Sequence, residues 1–235
     1  DKYLAYSLDL KGSEYFTIHV RDIKTNEIIT DKIENTSGSI LFSLDDRFIF
    51  YSKLDENHRP KKIFRHEIGK SIKEDLLIFE ERTPAFTVSI GISADERYYF
   101  INSSDHNTSE KYYFKSNESL PKPKIVRKRE KGIIYSVSSW DGYFYIHTNK
   151  GAEDFKIERS RDIEASKWDA FIPAKNETMI GGLTFLKNWI IRSELNNALD
   201  KIFVRDINSN KEEELIFTDE EVYDGSISHT QKDRN

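Results

Sequence analysis

The stretch Ile40–Glu80 reads ILFSLDDRFIFYSKLDENHRPKKIFRHEIGKSIKEDLLIFE and contains four short apolar runs separated by polar turns. The runs are Ile40–Ser43, Phe48–Ser52, Lys62–Ile68 and Leu76–Glu80. Short runs rich in Ile, Phe and Tyr, interrupted by Asp, Asn, Pro and Gly, are typical of strands rather than helices. Asp45-Asp46 indicates a tight connection between the first two runs. The stretch therefore predicts a four-stranded antiparallel meander.

The same pattern recurs along the whole chain. Central apolar residues of the third run are 44 to 49 positions apart, at Ile18, Phe64, Tyr113, Ile157 and Phe203. The second run recurs as Ala5-Tyr6-Ser7, Phe50-Tyr51-Ser52, Phe100-Ile101-Asn102, Tyr145-Ile146-His147 and Ile190-Ile191-Arg192. The fourth run recurs as Glu27–Thr30, Leu76–Glu80, Lys124–Val126, Trp168–Ile172 and Glu214–Phe217. A period of roughly 40–50 residues with four strands per repeat is the signature of a β-propeller.

We therefore predict an all-β chain, a β-propeller of four-stranded antiparallel blades with about five blades present. The predicted units are 1–36, 37–84, 85–132, 133–179 and 180–223, and 224–235 would begin another. Because the first unit begins inside its second strand and no initiator Met is present, we expect the chain to be part of a longer one.

Bulk composition bounds the class of protein. Of the 235 residues, 33% are charged, 37% hydrophobic and 13% aromatic, which indicates a globular chain. The net charge of −5 argues against a nucleic-acid partner, and the basic stretch Lys122–Lys131 is interpreted as a solvated strand and loop. The chain has no cysteine, which excludes disulfides and thiolate sites and fits the cytoplasm. No apolar run approaches the ~18 residues of a membrane span.

Nucleophilic and metal chemistry would need motifs that the sequence lacks. There is no Gly-x-Ser-x-Gly nucleophile elbow. The histidines are His19, His58, His66, His106, His147 and His229. His66-Glu67 begins like a zinc motif, but Lys70 stands where the second His should be. We interpret the histidines as structural, with His19, His66 and His147 at related positions in strands.

The acidic pairs Asp45-Asp46 and Asp95-Glu96 occupy the same turn of successive repeats, so turn chemistry explains them without catalysis. The loop after Asp55 lacks the spacing of a calcium loop. Trp140-Asp141 and Trp168-Asp169 resemble the WD dipeptide, but they lack its Gly-His partner and sit at different repeat positions. We therefore predict no catalytic, cofactor-binding or metal-binding residue in this chain.

Several strings carry a resemblance to a known family when they are taken in order. They are IFRHEIG (Ile63–Gly69), LLIFEE (Leu76–Glu81), NTSEKYYF (Asn107–Phe114), YIHTNKGAEDFKI (Tyr145–Ile157) and W-x3-I-P (Trp168–Pro173). In this order the chain resembles the propeller of the prolyl oligopeptidase family, and most closely its oligopeptidase B branch, also called protease II. The resemblance covers essentially all 235 residues.

The resemblance implies a seven-bladed N-terminal propeller that covers an α/β-hydrolase domain with a Ser-Asp-His triad. The oligopeptidase B branch is a group of serine-type endopeptidases that cleave short peptides after Lys or Arg. No catalytic residue can be carried over, because the hydrolase domain is absent from this sequence. We expect this chain to be inactive alone, to filter substrates in the parent enzyme, and to have that domain and short peptides as partners. The alternatives are a stand-alone propeller that acts as a protein-binding scaffold and, third, a propeller glycosidase or lactonase.

Overall fold

The computed structural model describes residues 2–29, 32–216, 225–230 and 233. Within these residues, eighteen strands form four antiparallel sheets, and a 3-10 helix spans Ile72–Glu74. The described part of the chain contains no helix long and apolar enough to cross a membrane. The chain divides into two compact units, Asp1–Lys131 and Gly132–Asn235.

The first unit holds a six-stranded and a four-stranded sheet. The six-stranded sheet consists of β1 (Tyr3–Leu8), β2 (Phe16–Asp22), β3 (Ile33–Phe42), β4 (Phe48–Leu54), β5 (Pro60–Glu67) and β6 (Leu76–Glu80). The four-stranded sheet consists of β7 (Thr87–Ile92), β8 (Tyr98–Ser104), β9 (Ser109–Lys115) and β10 (Lys124–Arg127). Neighbours in sequence are neighbours in each sheet, as the predicted meanders require.

Strand β3 belongs to two repeats at once, which explains the six-stranded sheet. Its first half pairs with β2, with Thr36 opposite Phe16, and its second half pairs with β4, with Ile40 opposite Tyr51. Gly38 lies between the halves with φ +84°, and a Cβ there would be 2.9 Å from Cγ of Phe16. Only glycine fits a left-handed backbone packed this closely against a ring.

The strand predicted at Glu27–Thr30 is wrong in extent. Within the described residues of that segment, Ile28 makes one isolated bridge to Arg21, and Thr30 lies outside them. Residues 22–27 form a tight turn, which is closed by a hydrogen bond from the Asp22 amide to the Glu27 carbonyl. The position beside β2 is filled instead by the first half of β3.

Alternation along β4 builds two cores in the first unit. Ile49 and Tyr51 face one cluster, which they share with β2 and β3. Phe50, between them, faces the opposite cluster, where it packs with Tyr99 and Phe114 of the second sheet. This period of two is the strand pattern that the sequence predicts.

The second unit holds two four-stranded sheets. One consists of β11 (Tyr135–Trp140), β12 (Tyr143–Thr148), β13 (Lys156–Ser160) and β14 (Asp169–Ile172). The other consists of β15 (Thr178–Leu186), β16 (Trp189–Asn196), β17 (Leu199–Asp206) and β18 (Glu212–Glu214). Asp141 and Gly142 both have positive φ, as a two-residue type I′ hairpin turn demands.

The repeat assignments of the inner strands are confirmed. The central residues predicted for the third run lie in β2, β5, β9, β13 and β17, and the second-run triplets lie in β1, β4, β8, β12 and β16. The strand predicted at Glu214–Phe217 instead spans Glu212–Glu214, and Phe217 lies outside the described residues. Segment 224–235 is described only at 225–230 and 233, where no strand is assigned. The division into five blade units stays a prediction.

Candidate functional site

His66, the residue that begins like a zinc motif, is held in a buried network of the first unit. The ring is fully buried, and its Nδ1 lies 2.6 Å from Oδ1 of Asp75. The Tyr51 hydroxyl donates to the other oxygen of the same carboxylate at 2.8 Å. Burial and the Asp75 charge raise the pKa of Tyr51, so this hydroxyl stays a donor. The network joins Asp75, in the loop before β6, to strands β4 and β5 of the six-stranded sheet.

The other strand histidines pack in different ways. His147 Nε2 lies 2.7 Å from the Ile180 carbonyl, which links the two sheets of the second unit, and burial lowers its pKa. His19 stacks on Tyr6 with ring centroids 5.3 Å apart. The prediction of related positions is wrong for His147, because it lies on a second strand, β12, whereas His19 and His66 lie on third strands.

The acidic pairs lie in turns of the same design. The Ser43 hydroxyl donates to Oδ1 of Asp45 at 2.6 Å, and it accepts from the Phe48 amide at 2.9 Å. Ser93 and Asp95 repeat this arrangement before β8, also at 2.6 Å. The second acidic residue of each pair has positive φ at the tip of its turn. These carboxylates therefore shape hairpins, as turn chemistry predicts.

A buried ion cluster in the first unit escaped the sequence interpretation. Arg129 Nη2 lies 2.6 Å from Oε2 of Glu81 and 2.8 Å from Oε2 of Glu110, and the Ser103 hydroxyl also donates to Glu81. Burial raises the pKa of Glu81, but the bonds from Ser103, Arg129 and the Thr83 amide outweigh it and lower that pKa to about 2. Arg129 belongs to the stretch interpreted as solvated, so that interpretation is wrong for this residue.

The second unit has its own buried ion cluster. Arg192 Nε donates to Glu194 at 2.9 Å, and its Nη1 donates to Glu212 at 2.8 Å. Lys175, in the segment before β15, donates to both oxygens of Glu194. The Arg192 guanidinium also lies 4.3 Å from the ring centre of Phe203. This cluster joins β16 to β18 and to the segment between β14 and β15, so its role is structural.

Lys111 is a further titratable side chain that the sequence did not single out. Burial lowers its pKa to about 8, and its ammonium donates to Oδ1 of Asn102 on the neighbouring strand. The surrounding KYYFK reads only as a strand, so the sequence carries no signal for this partly buried lysine. No group of three or more His, Asp or Glu side chains in the described residues is arranged to hold a metal ion.

A cavity of about 620 Å³ lies between the two sheets of the first unit. Its walls come from the turn that contains Ser43 and Asp45, from the loop 116–119, and from aromatic side chains of β4, β8 and β9. The guanidiniums of Arg47 and Arg65 lie 5.2 and 4.2 Å from the ring centre of Phe48 at this cavity. It is a candidate binding site that the sequence interpretation missed, because its walls come together only through sheet packing.

Comparisons with known proteins agree with this architecture. The protein-family model of the prolyl oligopeptidase N-terminal β-propeller domain matches residues 1–235 of this chain. The chain is 34% identical over 158 residues to Protease 2 of Moraxella lacunata, covering 66% of this chain and 23% of that protein. It is 25% identical over 232 residues to dipeptidyl aminopeptidase BI of Pseudoxanthomonas mexicana, covering 97% of this chain and 32% of that protein.

Solved structures give the same result. Oligopeptidase B from Trypanosoma brucei, in a closed form with covalently bound antipain, superposes with a TM-score of 0.83 at 27% identity, covering 94% of this chain and 32% of that chain. Oligopeptidase B from Leishmania major has a TM-score of 0.86 at 24% identity, covering 93% of this chain and 32% of that chain, a likeness of fold alone.

The antiparallel meanders and the match over the full chain define a β-propeller domain of the kind found in prolyl oligopeptidases. The chain belongs to the prolyl oligopeptidase N-terminal β-propeller domain family. It spans 23% and 32% of the length of the two curated relatives described above.

Proposed function

We propose that this chain is the gating propeller of a serine oligopeptidase similar to oligopeptidase B, whose whole protein hydrolyses short peptides after Lys or Arg. The observation that carries the proposal is the match of all 235 residues to the propeller domain of this family. The relatives that share the sequence are peptidases about three times as long as this chain. The catalytic partner would be an α/β-hydrolase domain of the same protein.

The contacts of the described side chains support a covering role. His66 and His147, which could act as general bases, are engaged with Asp75 and with the Ile180 carbonyl. The acidic pairs shape turns, and the buried ion clusters join strands to the segments between sheets. Within each unit these side chains therefore stabilise the fold, which is consistent with a cover that leaves catalysis to another domain.

A rigid cover would act by exclusion. Folded proteins would be too large to pass it, whereas short peptides would reach the covered site, where water is displaced and the substrate is positioned. The absence of cysteine from the sequence is consistent with a cytoplasmic enzyme that acts on peptide fragments. Specificity for basic residues would reside in the catalytic domain.

The alternative is a stand-alone propeller that binds other proteins. The two functions predict different sequences after this chain in its reading frame. The gating function requires a Gly-x-Ser-x-Gly segment at a strand-to-helix turn after Asn235, whereas the scaffold function requires none.

The activity test uses the full product of that reading frame. One cleavage sequence containing Arg is offered as a short peptide, within a long unfolded polypeptide and within a folded protein. We expect rapid cleavage of the short peptide and at least about a hundredfold slower cleavage of the folded protein. Equal rates for the short peptide and the folded protein would contradict gating, and no cleavage of any form would contradict the peptidase assignment.

A further inference from the structure

The ammonium of Lys61 is surrounded by backbone carbonyls rather than by carboxylates. Its Nζ donates to the carbonyl oxygens of Thr83, Pro84 and Phe86 at 2.7, 2.9 and 2.5 Å. Lys61 is 8% exposed, and these bonds use all three donors of its ammonium. Among the residues that the structure describes, no carboxylate forms an ion pair with Lys61. A buried lysine is ordinarily paired with an acid, so the carbonyls take the place of one here.

The carbonyls converge because the connection between β6 and β7 contains a tight turn. The Phe86 amide donates to the Thr83 carbonyl at 3.2 Å, and Pro84 occupies the second position, where its fixed φ favours a turn. The start of the turn is anchored separately, because the Thr83 amide donates to Oε1 of Glu81 at 2.7 Å. The Pro84 carbonyl also accepts from Arg59 at 2.6 Å. The oxygens of this turn therefore form a cage that faces positive charge.

The attraction of this cage for a cation comes from backbone dipoles. The carboxylate of Glu81 accepts from the Thr83 amide, the Ser103 hydroxyl and Arg129, so it is engaged elsewhere. The Arg129 guanidinium lies 4.1 Å from the ring centre of Phe86, so it adds a further positive charge beside the turn. Carbonyl dipoles directed at one point stabilise a cation there, as the carbonyl rings of potassium channels do. The cage therefore holds its ammonium without an acid in contact with it.

We propose that the turn at 83–86 is a monovalent-cation site whose resident cation is the Lys61 ammonium. The ammonium is a compact point charge, so it occupies the place that an ammonium or potassium ion would take. Its removal would leave three carbonyl oxygens around a vacant position, and either ion would restore the lost charge and contacts. In the native chain Lys61 is a positioning residue, which holds the connection between the two sheets of the first unit. This role does not depend on the peptidase activity proposed above.

Lys61→Met tests the site, because methionine fills the path of the methylene chain but brings no charge to the carbonyls. We expect the melting temperature of the 235-residue chain to fall by at least about 5 °C, since the buried carbonyls lose their donors. Ammonium chloride or potassium chloride at about 0.2 M should recover at least about a third of that loss by binding the folded state. Tetramethylammonium chloride should recover none, because its cation is too large for the cage and has no N–H donor. Equal recovery in all three salts, or none in any, would overturn the proposal, and recovery with only one of the two small cations would overturn the other as a ligand.

Lys62→Met is the matched control, because Lys62 pairs with Glu80 at 3.1 Å while 43% and 32% of the two side chains are exposed. We expect this variant to lose about 2 °C or less and to respond alike to the three salts. Hydrogen exchange of the Phe86 amide gives the local measure, since its bond to the Thr83 carbonyl closes the turn. It should be faster in K61M and slower again with ammonium. A K62M response that matches K61M, or a Phe86 amide that does not respond, would overturn the site.

The unmodified chain gives a test that needs no substitution and holds even where K61M fails to fold. Burial and three hydrogen bonds should slow the exchange of the Lys61 ammonium protons with water. Nitrogen NMR near neutral pH should therefore show the Lys61 ammonium, with couplings across the hydrogen bonds to the carbonyl carbons of Thr83, Pro84 and Phe86. The exposed Lys62 ammonium should not be visible under the same conditions. An invisible Lys61 ammonium, or one without these couplings, would overturn the cage.

Discussion

Arg129 Nη2 lies 2.6 Å from Oε2 of Glu81, although 48 positions separate the two residues in the chain. Glu81 follows β6 and Arg129 follows β10, so this contact ties together the segments that leave the two sheets of the first unit. The cluster is largely buried, with 4% of the Glu81 side chain and 27% of the Arg129 side chain exposed. It is therefore the contact on which we expect the stability of this unit to depend most.

Arg129→Met tests this dependence, because it leaves the carboxylates of Glu81 and Glu110 buried without their cation. Removal of one partner from a buried ion pair typically lowers the free energy of unfolding by about 3–5 kcal/mol. Urea unfolding of the 235-residue chain measures the change. Arg47→Gln is the matched control, since the exposed pair with Glu67 is expected to contribute about 1 kcal/mol or less. Similar losses in the two variants would contradict the assignment.

The same cluster predicts a pH dependence. The pKa of Glu81 is lowered from 4.5 to about 2 in the folded chain, so the carboxylate contributes stability above pH 4.5. That contribution is lost as the pH falls from about 4.5 towards 2, because the proton then binds the unfolded state first. We expect Glu81→Gln to be less stable than the parent near neutral pH and to approach it towards pH 2. A constant difference in free energy of unfolding across this range would contradict the assigned pKa.

Gly38→Ala tests the shared strand β3. The substitution places a Cβ 2.9 Å from Cγ of Phe16 at φ +84°, and we expect a loss of about 1–3 kcal/mol in free energy of unfolding. Gly91→Ala is the matched control, because a Cβ there would meet nothing within 4 Å. In thermal or urea melts the control should be neutral or gain up to about 1 kcal/mol. The prediction fails if the two alanine variants melt alike.

The buried carboxylate of Asp75 accepts from Tyr51 and contacts His66, so these groups should be energetically coupled. Asp75→Asn converts one acceptor oxygen into an NH₂ donor, and we expect it to cost about 1–3 kcal/mol. A double-mutant cycle with Tyr51→Phe measures the coupling, for which we expect a magnitude of about 0.5–3 kcal/mol. Strictly additive losses would show that the Tyr51 bond does not contribute.

The sequence predicted the repeated strands because their signals are local. Alternation at Ile49, Phe50 and Tyr51 shows which side chains share a face, and Asp141-Gly142 specifies a hairpin by backbone conformation alone. The strand predicted at Glu27–Thr30 was wrong in extent because the place beside β2 is taken by β3, which the sequence did not show to serve two repeats.

The ion cluster and the cavity could not be predicted in this way. Arg129 lies in a basic stretch that reads as solvated, and its partners are distant in sequence. Tyr99 lies in an aromatic run of β8, which predicts that the ring is buried but not which groups surround its hydroxyl. Both features arise from the packing of one sheet on another, and a single sequence carries no direct signal for that packing.

Covalent labelling of the full product of the reading frame with a fluorophosphonate tests the central claim most directly. This probe forms a bond with an activated serine, and peptide mapping then locates the modified residue. If residues 1–235 are a cover over a serine peptidase, the label will lie on one serine beyond residue 235, with none in this chain. Label on a serine within residues 1–235, or no labelled serine anywhere in the product, would contradict the account.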